Sequence, residues 1–219
     1  MTPFTTLTGR VAPLLLANVD TDVIIRIERL TSGDQDQLGR WAFESIRYDV
    51  DGAERPDFAL TQPAYRGAPI LIAGSNFGCG SSREGAVTAI AGMGIRCIIA
   101  DSFGDIFYAN CFQNGLLPIR LDAPDIARIA GVAEANSALT VDLERQAIVL
   151  PDGEVITFAI AGIRKEGLLK GLDDIGLSLS ELDSIRAWQA RDRTDRPWIW
   201  DLPPGLTAVT EHSPKDSPA

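Results

Sequence analysis

Histidine is almost missing from this chain: the one copy, His212, lies in the C-terminal tail. A Ser-His-Asp or Cys-His mechanism therefore has no plausible histidine, which removes much of ordinary hydrolase chemistry. Cysteine is scarce as well. Cys79, Cys97 and Cys111 form an odd, widely spaced set without a C-x-x-C pair, so their spacing encodes neither a zinc nor a cluster site. Cys97, inside the apolar run "IRCIIA", reads as a small buried residue. No apolar run approaches the roughly 18 residues that a membrane span needs. A basic excess is absent too: 20 Lys and Arg stand against 30 Asp and Glu, for a net charge of -10. That balance argues against nucleic acid or an anionic membrane as the main partner, though not against a few arginines around a small anion. The opening "MTPFTTLTGRVAPLLLANVDTD" has neither a basic leader nor a small-residue cleavage pattern, and the expected location is cytoplasmic.

What remains is the composition of a globular protein, 219 residues with 45% hydrophobic and 23% charged side chains. "VAPLLLAN" reads as a strand, and "DTD" as a turn leading into "VIIRIERL". A polar region with scattered aromatics and Gly, Pro and Asp punctuation follows, reading as loops and short helices. "APILIAG" is a buried strand, "SREGAVTAIAGMG" has helical spacing, and "IRCIIADS" is a second buried strand: a parallel βαβ unit. "FGDIFYANCFQNG" predicts a short helix stopped at Asn-Gly, "LLPIRL" a strand, and "DAPDIARIAGVAEAN" an amphipathic helix. "ALTVDLERQAIVLPDGEVITFAI" alternates like strands joined by an Asp-Gly turn. "LSELDSIRAWQA" predicts a last helix with Leu182, Ile185 and Trp188 on one face and Ser180 as a possible N-cap. The expectation is one α/β domain over residues 1–190 and an extended C-terminal tail over 191–219, its last part of disordered composition.

The stretch "GSNFGCGSSRE", residues 74–84, falls between a strand's carboxyl end and a helix's amino end, where open α/β sheets place ligands. Helix N-termini offer unpaired N–H groups and partial positive charge to anions. Ser81-x-x-Glu84 is also a capping-box pattern, and a capping serine can serve a ligand at the same time. Three rivals fare poorly. The G-x-G-x-x-G fingerprint fails because Arg83 stands where its third glycine would be, and a P-loop would need a lysine. A Cys79 nucleophile has no histidine to serve as its base.

These residues, with "NVDTDVII", "PDFALTQPAYRGAPILIAG", "DSFGDIFYANCFQNGLLP" and "LLKGLDDIGLSL", resemble the small subunits of the isopropylmalate isomerases, in the aconitase superfamily. The resemblance runs from residue 1 to about 200, in order. It implies a swivelling β/β/α domain of the aconitase type with a parallel βαβ core, closing over a large partner subunit as a heterodimer or higher assembly. The partner, not this chain, would carry a [4Fe-4S] cluster, so this chain would bind no cofactor and no metal. The implied reaction removes and re-adds water on a small alkylmalate, isomerising 2- and 3-isopropylmalate in leucine biosynthesis. Citramalate, dimethylmalate or a non-catalytic carboxylate-binding role stand as alternatives.

Carried over position by position, Ser81 matches the general base and Arg83 the carboxylate-gripping arginine. Ser82 matches a neighbouring substrate contact. Asp22 matches an active-site aspartate and reads equally well as a turn residue. Arg26 stands where the family often has proline, and is taken as substrate-binding; Arg29 follows close behind. Gly85 stands where the family usually has histidine. Asn76 and Phe77 are expected to shape the loop, and Asp105, Phe107 and Asn110 to pack and pin the next segment.

Overall fold

The structure, a computed structural model, describes residues 1–31, 37–80 and 84–200. The chain divides into two compact units, Met1–Asp174 and Ile175–Ala219. The first unit opens with β1 (Thr6–Leu14) and a run of short helices, α1 (Thr21–Ile24), α2 (Ile27–Thr31), α3 (Leu38–Trp41) and α4 (Glu44–Arg47). It continues through β2 (Ile70–Ala73), α5 (Glu84–Gly92), β3 (Cys97–Ala100), α6 (Asp105–Gln113), β4 (Leu117–Arg120) and α7 (Ala123–Glu134). Three further strands, β5 (Ala138–Asp142), β6 (Ala147–Val149) and β7 (Val155–Thr157), precede α8 (Gly162–Lys170).

Among the described residues the strands form one seven-stranded sheet in the order β4-β3-β2-β1-β5-β6-β7. β1 is long enough to serve two halves. Its Val11–Leu14 end pairs parallel with β2, while its Thr6–Arg10 end pairs antiparallel with β5. The expected βαβ unit is present as parallel β2 and β3 joined through α5, and β4 extends the parallel part. The expected Asp-Gly turn joins β6 to β7.

Every residue of β2 and β3 is buried, because both faces of the parallel half are covered. The two-residue period of the strand divides their side chains between two cores. Leu71, Ile98 and Ala100 join Ile24, Phe43, Ile90 and Phe107 on one side. Ile70, Ile72, Cys97 and Ile99 join Ile129, Val141, Ile148 and Leu168 on the other. α7 starts where its sequence says it should, with Asp122 accepting from the Asp125 N–H and proline in the first turn.

From Ile175 on, the second unit carries the rest of α9 (Asp174–Ser180), then α10 (Leu182–Asp195) and α11 (Pro197–Trp200). Ser180 is not the N-cap of α10: that position is Glu181, and the Ser180 hydroxyl instead donates back to the Leu177 carbonyl at 2.7 Å. A serine at a helix end that bonds its own preceding turn cannot also cap the next. Within this unit Ile185 and Trp188 are exposed, and the buried residue of α10 is Asp192. Its carboxylate accepts from the Arg196 guanidinium and, at 2.9 Å, from the Trp200 indole.

Candidate active site

β1, β2 and β3 release the chain on the same edge of the sheet, and their following segments are stitched together there. The Asn18 N–H donates to the Ser75 carbonyl at 2.8 Å and the Gly78 N–H to Val19 at 2.7 Å. Asp20 pairs with Cys79 as a parallel bridge, and the Thr21 N–H reaches the Cys79 carbonyl at 3.0 Å. The "DTD" and "GCG" motifs, more than 50 residues apart in sequence, thus lie side by side. Asp20 caps α1 by accepting from the Val23 N–H at 2.7 Å, so the expected turn is the start of a one-turn helix.

The loop can run this way only with glycine at position 78. Gly78 has a φ of +69°, and a Cβ there would lie 2.2 to 2.7 Å from the Phe107 ring. Phe107 meets Phe77 edge-on at 5.5 Å and lies over Phe103 at 6.4 Å. Phe77 and Phe107 are therefore packing residues that seat the loop on α6. Asp105 does not pack: its side chain is 98% exposed, with Arg120 at 3.7 Å.

Ser81, Ser82 and Arg83 lie outside the described residues, as does the capping role of Ser81. They follow Gly80 directly and precede Glu84, the first described residue of α5. Glu84 accepts from the Asn114 amide at 3.2 Å. Asp22 and Arg26 are described. Both line a groove of about 390 Å³, with Asp20, Val23 and Ser45 among its other walls. Arg26 and Ser45 also line an adjoining groove of about 760 Å³ bounded by Arg40, Trp41, Tyr48 and Arg55.

Arg26 and Arg29 differ in what holds them. The Arg29 guanidinium grips both Glu44 oxygens, at 2.9 and 2.5 Å, and stacks 3.6 Å over Trp41. A fork bound to a carboxylate and laid on an aromatic face is structural. Arg29 in turn holds the Glu44 carboxyl below the usual carboxylate range. Among the described residues Arg26 pairs with the exposed Glu28, at 3.4 Å, and keeps a half-exposed side chain at the groove.

Sequence reasoning missed three polar residues on this edge. Asp101, directly after β3, accepts from Ser75 at 2.5 Å and from Ser102 at 2.7 Å. Both hydroxyls hold the Asp101 carboxyl below its ordinary range. Their signal was positional, since residues just past the carboxyl ends of adjacent parallel strands converge.

The three cysteines do not gather as cluster ligands. Cys97 and Cys111 sit fully buried in different cores, burial pushes both thiols up, and Cys79 stands alone on the loop. Among the described residues no group of three or more His, Cys, Asp or Glu could hold a metal ion, and no helix is long and apolar enough to cross a membrane.

Comparison with known proteins bears on the same geometry. The family model for the aconitase C-terminal domain matches residues 1–124, and one for LeuD_N matches 128–162. The chain is 54% identical over 200 residues to the 3-isopropylmalate dehydratase small subunit of Rhodospirillum centenum, covering 90% of this chain and 98% of the relative. It is 52% identical to that of Rhodopseudomonas palustris strain BisA53, covering 90% and 100%. Among solved structures it is similar to the 3-isopropylmalate dehydratase LeuD of Methanocaldococcus jannaschii, with a TM-score of 0.59 and 27% identity over 84% of this chain and 99% of the other.

Proposed function

We propose a function from one premise: this chain belongs to the small subunits of 3-isopropylmalate dehydratase, in the aconitase C-terminal domain family. It is the small subunit of a hydro-lyase that isomerises 2- and 3-isopropylmalate by dehydration and rehydration, a step of leucine biosynthesis. Its partner is a large subunit, and its place of work is the cytoplasm. The other alkylmalates and the non-catalytic binding role are not favoured, since relatives sharing half the sequence carry the isopropylmalate name.

The observation that carries the mechanism is the pairing of Asp20 with Cys79. It sets α1, with Asp22 and the approach to Arg26, against the loop whose next residues are Ser81, Ser82 and Arg83. In this reading the large subunit would hold a [4Fe-4S] cluster, which would supply the Lewis acid for loss of the substrate hydroxyl. This chain supplies the rest. Ser81 takes the carbon-bound proton, its alkoxide favoured by the N–H groups and dipole of the helix that follows. Arg83 grips a substrate carboxylate with a planar fork, and Ser82 adds a hydrogen bond. Arg26 supplies positive charge from the α1 side, and Asp22 orients the substrate across the groove.

The test is reconstitution with the large subunit and assay on 2-isopropylmalate, citramalate and 2,3-dimethylmalate. Isomerisation of isopropylmalate with the highest kcat/KM supports the reading. A complex that turns over only citramalate or dimethylmalate, or none of the three, overturns it.

A further inference from the structure

The stitched edge contains a relay of hydrogen bonds whose direction a single carboxylate sets. Asp101 Oδ2 accepts the Ser75 hydroxyl at 2.5 Å, and Oδ1 accepts the Ser102 hydroxyl at 2.7 Å. An ionised carboxylate can only accept, so both serine protons are committed to it. The Ser102 oxygen then has its lone pairs turned elsewhere, and it receives the Asn76 N–H at 2.8 Å. Asn76 is itself held in the left-handed region, at φ 56°, where a non-glycine residue needs support from its surroundings. Its amide donates to the Asn18 side chain at 2.9 Å, which ties the same residue to the end of β1. One residue on, the Phe77 N–H donates to the Ser102 carbonyl at 3.1 Å, and the Gly104 N–H to the Phe77 carbonyl at 2.9 Å.

Three strand ends are therefore locked to one another by side chains that bear no part of the proton transfer. Asp101 and Ser75 are exposed at this edge. An exposed hydroxyl–carboxylate pair is a poor device for global stability, because water competes for every bond. It is a good device for fixing the entry angle of a short loop. Asn76 lies five residues before Ser81, along a segment with positive φ at Asn76, Gly78 and Gly80. A backbone that can turn so freely needs its starting point held.

We propose that Asp101 is a positioning residue for the isomerisation, acting through Ser102 and Asn76 to hold the loop that delivers Ser81. The inference rests on the functional reading above. It is distinct from it, because the reading can hold while Asp101 contributes nothing.

The experiment compares Asp101→Ala, Ser102→Ala and Ser102→Thr with the wild-type complex, using Asp105→Ala as an exposed-acid control. The expected result is a kcat about tenfold lower for Asp101→Ala and Ser102→Ala with KM within about twofold, since displacements of an ångström at a reacting group cost up to about a hundredfold. Ser102→Thr keeps the hydroxyl and should recover most of the rate, and Asp105→Ala should match wild type. In the isolated chain, amide exchange at Asn76 and Phe77 should quicken in both alanine variants while Tm moves by no more than a few degrees. Should Asp101→Ala fail to fold, Ser102→Ala carries the test alone. Wild-type kcat in the alanine variants, or equal losses in Ser102→Ala and Ser102→Thr, would overturn the assignment while leaving the function intact. A wild-type complex inert on isopropylmalate would overturn both.

Discussion

Replacing Gly78 by alanine tests the loop's seating without any assay of activity. Two costs add. The first is backbone: with φ at +69°, an L residue at this position meets strain of about 1 to 2 kcal/mol. The second is steric. The new methyl would meet three ring atoms of Phe107 at 2.2, 2.6 and 2.7 Å, well inside the contact distance of carbon atoms. Phe107 cannot simply swing away, because it is 2% exposed and wedged between Phe77 and Phe103. Overpacking of a closed core costs about 1 to 3 kcal/mol. The sum is about 2 to 5 kcal/mol, which for a chain of this length lowers Tm by roughly 5 to 15 °C. Thermal unfolding of the isolated chain measures it. Phe107→Leu separates the two terms. A smaller side chain removes the clash but not the strain, so Gly78→Ala should cost about 1 to 3 kcal/mol less in the Phe107→Leu background than alone. A Gly78→Ala Tm within 2 °C of wild type, or strictly additive double-variant energies, would refute this account of the loop.

Three other outcomes follow from the site. Ser81→Ala should lower kcat of the complex by at least about a hundredfold with a smaller change in KM, the usual scale for a proton-transfer group; a near-normal kcat removes Ser81 from the mechanism. Arg83→Lys keeps the charge but loses the fork, and one charge-assisted hydrogen bond of roughly 1.5 to 3 kcal/mol lowers kcat/KM about ten- to hundredfold at unchanged Tm; wild-type kcat/KM would reduce Arg83 to a surface cation. Glu44→Gln probes the Arg29 clamp. The Glu44 carboxyl is held below its ordinary value, chiefly by the Arg29 hydrogen bond. Its contribution is therefore present above the unfolded carboxylate value of about 4.3 and lost as pH falls through the lower folded value. Glu44→Gln should be less stable than wild type by about 1 kcal/mol near pH 7, with the gap closing below about pH 4; a gap that widens in acid would contradict the pairing.

What the sequence disclosed depended on the range of the interaction. β2, α5, β3, α6 and β4 were legible because each is specified locally, by an apolar run or a helical period between turn residues. α1 was not, since four residues capped by Asp20 leave no period to read, and a "DTD" triplet looks the same in a turn and at a helix start. The two arginines after it were indistinguishable in sequence. Glu44 lies 15 residues from Arg29, and Trp41 becomes the ring beneath it only once α3 and α4 fold back. Asp101 was hidden for the same reason: "ADS" carries no motif, and its meaning comes from β2 and β3 ending side by side. Ser180 misled in the opposite direction, because a cap residue in a helix-rich segment can bond backward as easily as forward.

The two departures from the family pattern, Arg26 and Gly85, are separate in sequence and connected in space. A Cβ at Gly85 would lie 2.3 Å from Leu30 Cδ2. Leu30 of α2 thus occupies the room that a side chain on the first turn of α5 would need. A histidine in that position could not coexist with Leu30 as it stands; α2 would have to slide or Leu30 to turn out. Leu30 of α2 is thus seated on Gly85, and Arg26, the residue just before α2, lines the groove.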